Sequence, residues 1–364
     1  FVFLFLCFFI LVAKNHDDFP YYHFPYISIL TEFSHPFGLG QLNNGFRSPS
    51  SVFFISSMFY LPKIDIYLFH IFPALIMGFA NLIFLEKIFN KDVFLKKNII
   101  NFLCLSSLIF INIFFYRLAE HGTDRSGMIL IILSTIFLIS LINNQQNNLY
   151  LDEMKFLIIC ICFVCTIKPF YLINFLFFII FLIHPILRTS FLKLFFSRSF
   201  YYCLSLLFFI IFYTFINSGC LIFPMTITCF ENLPWSLNKS YINEVKIWFE
   251  LWSKAGATPN YVVSEGFEYI SGLSWVQNWI DNYFFNKVSD FLIGIIFLCL
   301  ILFLFFYSKN IKYKIPLKKY FSIFIVLAIL LLEWFFYHPA LRYGGYHLIF
   351  LITAIPLCFI LSSI

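Results

Sequence analysis

Charged residues are scarce in this sequence. Only 12% of its 364 residues are Asp, Glu, Lys or Arg, whereas 61% are hydrophobic and the mean hydropathy is +0.89. A soluble fold of this length could not bury so much apolar surface, so the composition indicates a polytopic membrane protein. The formal net charge of +6 is small. Its basic residues lie mainly in short connections, where anionic lipid is the natural partner, so we expect no nucleic-acid partner.

Two kinds of motif are missing. The sequence has no glycine-rich loop that could cradle phosphates, since "YGGY" at 343–346 is too short, and this argues against a nucleotide-sugar substrate. Most of the ten cysteines lie inside apolar runs without metal-ligand spacing, as expected of small buried hydrophobes. Cys220 and Cys229 differ because they share one predicted loop. We expect a disulfide between them if the compartment is oxidising.

Apolar runs predict an all-α protein with about ten transmembrane helices in a single membrane domain over 1–364. The predicted spans are 1–13, 65–86, 98–116, 127–143, 156–167, 170–186, 200–217, 290–307, 320–337 and 346–363. The first run is shorter than the roughly 20 residues that a bilayer requires. We therefore expect the chain to be an N-terminally truncated copy.

The distribution of Lys and Arg predicts the orientation of the spans. Thirteen of the 24 basic residues lie in short connections that we place on the cytoplasmic side: Lys87, Lys91, Lys96, Lys97, Lys155, Arg188, Lys193, Arg198, Lys309, Lys312, Lys314, Lys318 and Lys319. The opposite face then carries a first outer loop, 14–64, a tight loop, 117–126, and a large outer loop, 218–289. This orientation requires a hairpin at Lys168-Pro169, and one long kinked helix is the alternative.

The large outer loop is long enough to hold its own structure. In "NKSYINEVKIWFELWSKAG", Tyr241, Val245, Trp248 and Trp252 recur at helical spacing, which predicts an amphipathic helix on the membrane surface. The segment "SWVQNWIDNYF" at 274–284 has the same character.

A cluster of polar residues follows the first apolar run. The stretch "KNHDDFPYYHFPYISIL" contains His16, Asp17, Asp18 and His23. A carboxylate just outside a membrane helix can bind a divalent cation or take a proton from an attacking hydroxyl. Adjacent helical residues point about 100 degrees apart, so one acting carboxylate with a supporting neighbour is the better interpretation. The alternative is a solvated helix cap in which Asp complements the helix dipole.

Further ionisable residues are predicted on the same face. The tight loop "YRLAEHGTDRSG" contains Arg117, Glu120, His121, Asp124 and Arg125, and a functional cluster and an ordinary polar loop are both open interpretations.

The C-terminal segment "LLLEWFFYHPALRYGGYHL" places Glu333 inside an apolar span, followed by His338, Arg342 and His347. A carboxylate within a membrane needs a partner or a polar cavity. Lys168 lies at the end of its span, where snorkelling is the alternative. Arg47, Arg117, Arg125, Lys168 and Arg342 together suit a phosphate-bearing lipid headgroup.

In these features the chain resembles the GT-C superfamily of integral-membrane glycosyltransferases. Its "HDDFPYYHFPYISIL" looks like the acidic first outer loop of that superfamily, followed by a surface helix. The resemblance implies a polyprenyl-phosphate sugar donor, with Asp17 or Asp18 in the position of the acidic catalytic residue. The chain also looks like uncharacterised bacterial multi-span proteins that share "DD…YH" with "GLGQLNNGFRSPSS" at 38–51, "SGCLIFP" at 218–224 and Trp235-Ser236.

These observations predict a glycosyltransferase that moves a sugar from a polyprenyl-phosphate donor to a lipid or glycan acceptor. It would work at the extracytoplasmic face of a bacterial inner membrane, in the synthesis of cell-envelope polysaccharide. Asp17 and Asp18 are the expected catalytic residues. The expected substrate-binding residues are His16, His23, Arg47, Arg117, Glu120, Asp124, Arg125, Lys168, Glu333 and Arg342. A divalent cofactor is left open. The alternatives are a polysaccharide polymerase or ligase, and a non-enzymatic transporter or flippase of a lipid-linked glycan.

Overall fold

The computed structural model describes residues 18–64, 68–89, 98–116, 122–143, 150–258, 266–307 and 317–362. In these ranges the chain forms helices joined by turns, which confirms the all-α class. The helices are α1 (Phe24–Glu32), α2 (Ser51–Ser57), α3 (Ile71–Phe89), α4 (Ile99–Phe114), α5 (Gly122–Asn143), α6 (Tyr150–Ile167), α7 (Leu176–Ile183), α8 (Pro185–Leu194), α9 (Arg198–Ser218), α10 (Lys239–Lys254), α11 (Gly266–Ile270), α12 (Val276–Phe306), α13 (Phe321–Tyr337) and α14 (Gly345–Ser362).

The core is built around α5. This helix is apolar on all sides, and such helices are buried in the centre of a bundle. Accordingly α3, α4, α6 and α14 all pack against it. Two buried hydroxyl groups in its middle are satisfied within the helix, since Ser134 donates to Leu130 O at 2.7 Å and Thr135 donates to Ile131 O at 2.9 Å. The middle of α5 is therefore a packing element, and its ionisable residues, Asp124 and Arg125, lie in its first turn.

The expected number of spans, about ten, is wrong for the described residues. Five helices there are long and apolar enough to cross a membrane, namely α3, α5, α9, α12 and α14. The bent pair at 169–194 makes a sixth candidate only when its two parts are counted as one span. The shorter apolar helices α4 and α13 have only 16 and 17 residues, below the roughly 20 that a bilayer requires. The predicted segment 1–13 lies outside the described residues. Several long apolar helices still mark an integral membrane protein.

The chain reverses after α6. Lys168 is extended, with φ −151° and ψ 147°, and Pro169 begins a 3-10 turn, Pro169–Phe175. This turn packs against α6, and α8 also contacts α6. The chain therefore folds back at Lys168-Pro169, as the predicted hairpin requires. A further bend of 120° separates Pro169–Ile183 from Leu187–Leu194.

The segment 18–64 packs on the end of α9 and on the segment 218–258. Gly38 N donates to Ile216 O at 2.9 Å, and the Gln41 side chain donates to Trp235 O at 2.9 Å. Cys220 and Cys229 form the expected disulfide. The predicted amphipathic helix is present as α10. The segment 274–284 is not a separate surface helix, because it continues without a break into the apolar helix α12.

Candidate functional site

Four charged residues form one connected network, which we call the charge cluster: Asp18, Asp124, Lys168 and Arg342. Arg342 Nη2 donates to Asp18 Oδ2 at 2.5 Å, and Arg342 Nε donates to Asp124 Oδ2 at 3.2 Å. The ammonium group of Lys168 pairs with the other carboxylate oxygen of Asp124. Charges of opposite sign thus alternate along the cluster, which contains two acids and two bases.

Each member comes from a different segment. Asp18 precedes a π-helical turn, Phe19–His23, and Asp124 lies in the first turn of α5. Lys168 is the extended residue after α6, and Arg342 lies in the 3-10 turn Leu341–Tyr343 between α13 and α14. The positive end of the α5 dipole favours a carboxylate at the position of Asp124. All four were expected from the sequence to take part in catalysis or substrate binding, and the structure brings them together.

Burial differs sharply within the cluster. The side chain of Asp124 is only 2% exposed, whereas those of Asp18 and Arg342 are each 24% exposed. A carboxylate as buried as Asp124 must be paired to remain charged, and both basic residues supply that pairing. Asp124 is therefore the fixed centre of the cluster. Asp18, Arg342 and Lys168 form its accessible side.

Tyrosine side chains line the cluster. Burial, followed by the charge of Asp18, raises the pKa of Tyr22 well above its ordinary value. Burial also raises the pKa of Tyr343 to about 12, although the neighbouring Arg342 acts in the opposite direction. Both phenols therefore keep their protons at neutral pH and can donate hydrogen bonds. The Arg342 guanidinium additionally lies 5.9 Å from the ring centre of Trp252 on α10.

His23 is a neutral neighbour of the cluster. Burial and the positive charge of Lys168 lower its pKa from 6.5 to about 3. Its ring lies 4.3 Å from the ring of Tyr22 and 4.9 Å from that of Phe53. As a neutral imidazole it cannot attract a phosphate by charge.

Three other residues that were expected to bind substrate lie outside the charge cluster. Arg47 is 3% exposed, donates to Gly40 O at 3.1 Å and to the Tyr241 hydroxyl at 2.5 Å, and so joins the two outer segments. The guanidinium of Arg125 lies 4.2 Å from the ring centre of Tyr346.

Glu333, the third, is 3.6 Å from His338 Nδ1. The remaining predicted residues, His16, Asp17, Arg117 and Glu120, fall outside the described part of the chain.

Metal ligands do not cluster in the part of the chain that the structure describes. Within those ranges no three His, Cys, Asp or Glu side chains are placed to hold one ion. Asp18 and Asp124 are instead joined through Arg342. The chemistry that this arrangement favours is recognition of an anion by Lys168 and Arg342, with Asp18 as an adjustable carboxylate.

An apolar cavity of about 180 Å³ adjoins the cluster, and Lys168 is part of its wall. The other walls come from the end of α6, the 169–175 turn, α9 and the residues around Phe223, and include Leu172, Phe175, Leu207 and Ile210. Sequence reasoning missed this cavity, as well as the roles of Tyr343 and Trp252. In the sequence, a role for Tyr343 beside the charge cluster was indicated only by its position directly after Arg342.

The sequence profile of the family described as Domain of unknown function (DUF8201) matches residues 1–350. The chain therefore belongs to this family. No curated protein and no solved structure matches the chain.

Proposed function

We propose that this member of the family is a membrane glycosyltransferase. It moves a sugar from a polyprenyl-phosphate donor to a lipid or glycan acceptor at the extracytoplasmic face. The observation that carries the proposal is the double position of Lys168, which belongs both to the charge cluster and to the wall of the apolar cavity. A ligand that fits both features has an anionic head and a hydrocarbon chain.

A phosphate is the anionic head group that best fits the charge cluster. Arg342 carries five N–H donors, and only two of them are used in its bonds to Asp18 and Asp124. Guanidinium groups bind phosphate oxygens through paired hydrogen bonds, and Lys168 adds a compact positive charge nearby. The cavity beside Lys168 then accommodates the first part of the hydrocarbon chain.

Asp18 supplies the acid–base step in this proposal. Because the cluster contains equal numbers of acids and bases, an arriving phosphate competes with one carboxylate for Arg342. Asp18 is the carboxylate that the phosphate displaces from Arg342, since it is far more exposed than Asp124. Once it leaves Arg342, it can accept the proton of an acceptor hydroxyl. The acceptor oxygen bonds to the anomeric carbon, the carbon–oxygen bond to phosphate breaks, and Arg342 and Lys168 hold the polyprenyl phosphate that leaves.

The test is transfer of a radiolabelled sugar from a polyprenyl-phosphate donor pool in membranes that contain the full chain. We expect Asp18→Asn and Arg342→Gln to abolish transfer while the protein stays in the membrane. The matched control is Asp152→Asn, because Asp152 is an exposed acid that pairs with neighbouring Lys155. Full transfer by Asp18→Asn would remove this residue from the mechanism.

A polymerase or ligase of lipid-linked polysaccharide is the second candidate. It would depend on an arginine more than on an acid, and Arg342 is the residue that contacts both Asp18 and Asp124. In that case Arg342→Gln would eliminate polymer or ligated product, while Asp18→Asn would leave it. A transporter predicts neither pattern. Instead, lipid-linked glycan would accumulate on one face of membranes that lack the protein, and no labelled product would form.

A further inference from the structure

A second, smaller cavity is lined in part by Tyr343, the residue that follows Arg342 of the charge cluster. Its volume is about 20 Å³, which is enough for one group of the size of water. Its lining includes Asn174, Glu333, Trp334, His338, Tyr343 and His347. We call this the polar pocket. None of these residues takes part in the ion pairs of the charge cluster.

Two deeply buried side chains of the polar pocket have unused hydrogen-bonding atoms. His347 is 3% exposed and Asn174 is 4% exposed. Among the described residues, neither His347 Nδ1 nor Asn174 Oδ1 has a hydrogen-bond partner. The orientation of the amide is set, because Asn174 Nδ2 donates to Tyr171 O at 2.9 Å. Buried polar atoms without a partner are unfavourable, so both side chains favour a polar group beside them that the described part of the chain does not supply.

The rim of the polar pocket adds a charged pair and aromatic surfaces. Glu333 and His338 are 3.6 Å apart and about one third exposed. The rings of Phe170 and Tyr343 are 5.5 Å apart, and Trp334 is held in place by its bond to Ala340 O at 2.8 Å. A carboxylate, an amide oxygen and an imidazole suit ligand hydroxyl groups, which both donate and accept. Aromatic faces beside them suit the apolar face of a sugar ring.

Two turns connect the polar pocket to the charge cluster. The segment that begins at Lys168 contributes Lys168 to the cluster and Asn174 to the pocket. The turn that contains Arg342 contributes Arg342 to the cluster and Tyr343 to the pocket. A substrate whose phosphate lies at the cluster therefore has its neighbouring atoms close to the pocket.

We propose that the polar pocket is a carbohydrate subsite that takes a hydroxyl group of a sugar ring. This inference rests on the proposed function, because the charge cluster positions the phosphate next to which the sugar lies. His347 and Asn174 bind the hydroxyl at the base of the pocket. Glu333 and His338 bind a second hydroxyl at its rim. The sugar belongs either to the donor or to the acceptor, and both present the same chemistry.

The test is binding of free methyl glycosides, measured by saturation-transfer NMR on the full chain in nanodiscs. The probes are methyl glucoside, galactoside, mannoside and N-acetylglucosaminide. We expect saturation of at least one of them, and an affinity at least tenfold weaker in His347→Phe and in Asn174→Leu. Absence of saturation for every glycoside, or equal saturation in the wild type and both variants, would overturn the proposal.

His184→Phe is the matched control. His184 Nδ1 is also buried without a hydrogen-bond partner among the described residues, but it lies at the bend between α7 and α8, outside the polar pocket. We expect this variant to bind glycoside as the wild type does. If the substitutions of His347 and Asn174 prevent folding, Glu333→Gln still tests the proposal, since Glu333 is half-buried at the rim. We expect Glu333→Gln to weaken glycoside binding as well. Unchanged binding in Glu333→Gln would contradict the rim contact.

Two further comparisons distinguish failure of the carbohydrate subsite from failure of the proposed function. Arg342→Gln should leave glycoside binding intact, because Arg342 is not part of the polar pocket. If glycosides bind but no sugar is transferred from a polyprenyl-phosphate donor, the proposed reaction fails and the subsite stands. A donor sugar is identified when a soluble polyprenyl-phosphate-sugar analogue displaces the glycoside and Arg342→Gln weakens that displacement. An acceptor sugar is identified when the glycoside itself becomes labelled during transfer.

Discussion

Asp124 and Arg342 are in direct contact although 218 positions separate them in the chain, with Arg342 Nε 3.2 Å from Asp124 Oδ2. The contact joins the first turn of α5, the most buried helix, to the turn between α13 and α14. It therefore has a structural as well as a proposed binding role. Lys168 completes the pairing of Asp124 from a third segment.

Substitution of Asp124 should destabilise the protein strongly. Asp124→Asn leaves Lys168 and Arg342 without their shared buried partner, and breaking a buried pair in this way costs about 3–5 kcal/mol. We expect a loss of that size in the free energy of unfolding, measured by denaturant titration in micelles. Asp152→Asn, at an exposed pair, should change it by less than about 0.5 kcal/mol. Similar values for both variants would show that the cluster does not stabilise the fold.

Stability should depend on pH through His23. Its pKa falls from 6.5 in the unfolded chain to about 3 in the folded protein. Between these values the unfolded chain binds a proton that the folded protein does not, so stability is present above pH 6.5 and is lost as the pH falls. The groups around the imidazole are Lys168, Asp18, Asp124 and Arg342.

The measurement is the free energy of unfolding of the wild type and His23→Gln, which keep the same surrounding charges. Each pH unit below the unfolded pKa is worth about 1.4 kcal/mol for a single group. We therefore expect the wild type to lose stability more steeply than His23→Gln from about pH 6 to about pH 4. Parallel curves would mean that His23 is protonated equally in both states.

How much of this site the sequence could predict depends on the kind of interaction. Asp18, Asp124, Lys168 and Arg342 could be selected because isolated charges in an apolar chain need partners. Their pairing could not be predicted, because it depends on where four distant segments end. Charge alone also suggested Arg47 and Arg125 as phosphate ligands. The structure places their guanidinium groups against Tyr241 and Tyr346, and nothing in their local sequence indicates those contacts.

The helices, too, could be predicted from the sequence only in part. Composition was enough to predict an all-α membrane protein, and spacing was enough to predict α10. The number of spans was not predictable from apolar runs, because a run does not reveal where the helix stops. The run at 98–116 becomes a helix that ends at Phe114, and the run at 170–186 is divided by a 3-10 turn and a bend.

Gly127 should not tolerate a side chain. A Cβ at this position would overlap the ring of Tyr171, whose hydroxyl donates to Asp124 O at 2.7 Å. Gly127→Ala therefore displaces Tyr171 and removes its support of the charge cluster, at a cost of about 1–3 kcal/mol. Thermal unfolding in micelles should show the loss. Gly266→Ala is the control, because among the described residues its Cβ would meet just the flexible end of the Leu251 side chain at 3.2 Å.

The disulfide between Cys220 and Cys229 should be detectable chemically. After denaturation without a reducing agent, we expect an alkylating reagent to leave both residues unlabelled. Reduction before alkylation should add two labels, which mass spectrometry of the peptides locates. The buried Cys358 serves as the internal control, because as a free thiol it is labelled in the denatured chain under both conditions. Labelling of Cys220 and Cys229 without reduction would contradict the pairing.

Binding of an anionic lipid should depend on charge and cavity separately. Lys168→Met removes the ammonium group at the cavity wall, so binding of polyprenyl phosphate, measured by native mass spectrometry, should weaken at least tenfold. Lys168→Arg keeps the charge and should retain most of the binding. Ile210→Trp fills part of the 180 Å³ cavity and should weaken binding of polyprenyl phosphate but not of inorganic phosphate. If Ile210→Trp and Lys168→Met both bind polyprenyl phosphate as the wild type does, the lipid lies elsewhere. If Lys168→Met alone weakens both ligands, the phosphate is recognised at the charge cluster without help from the cavity.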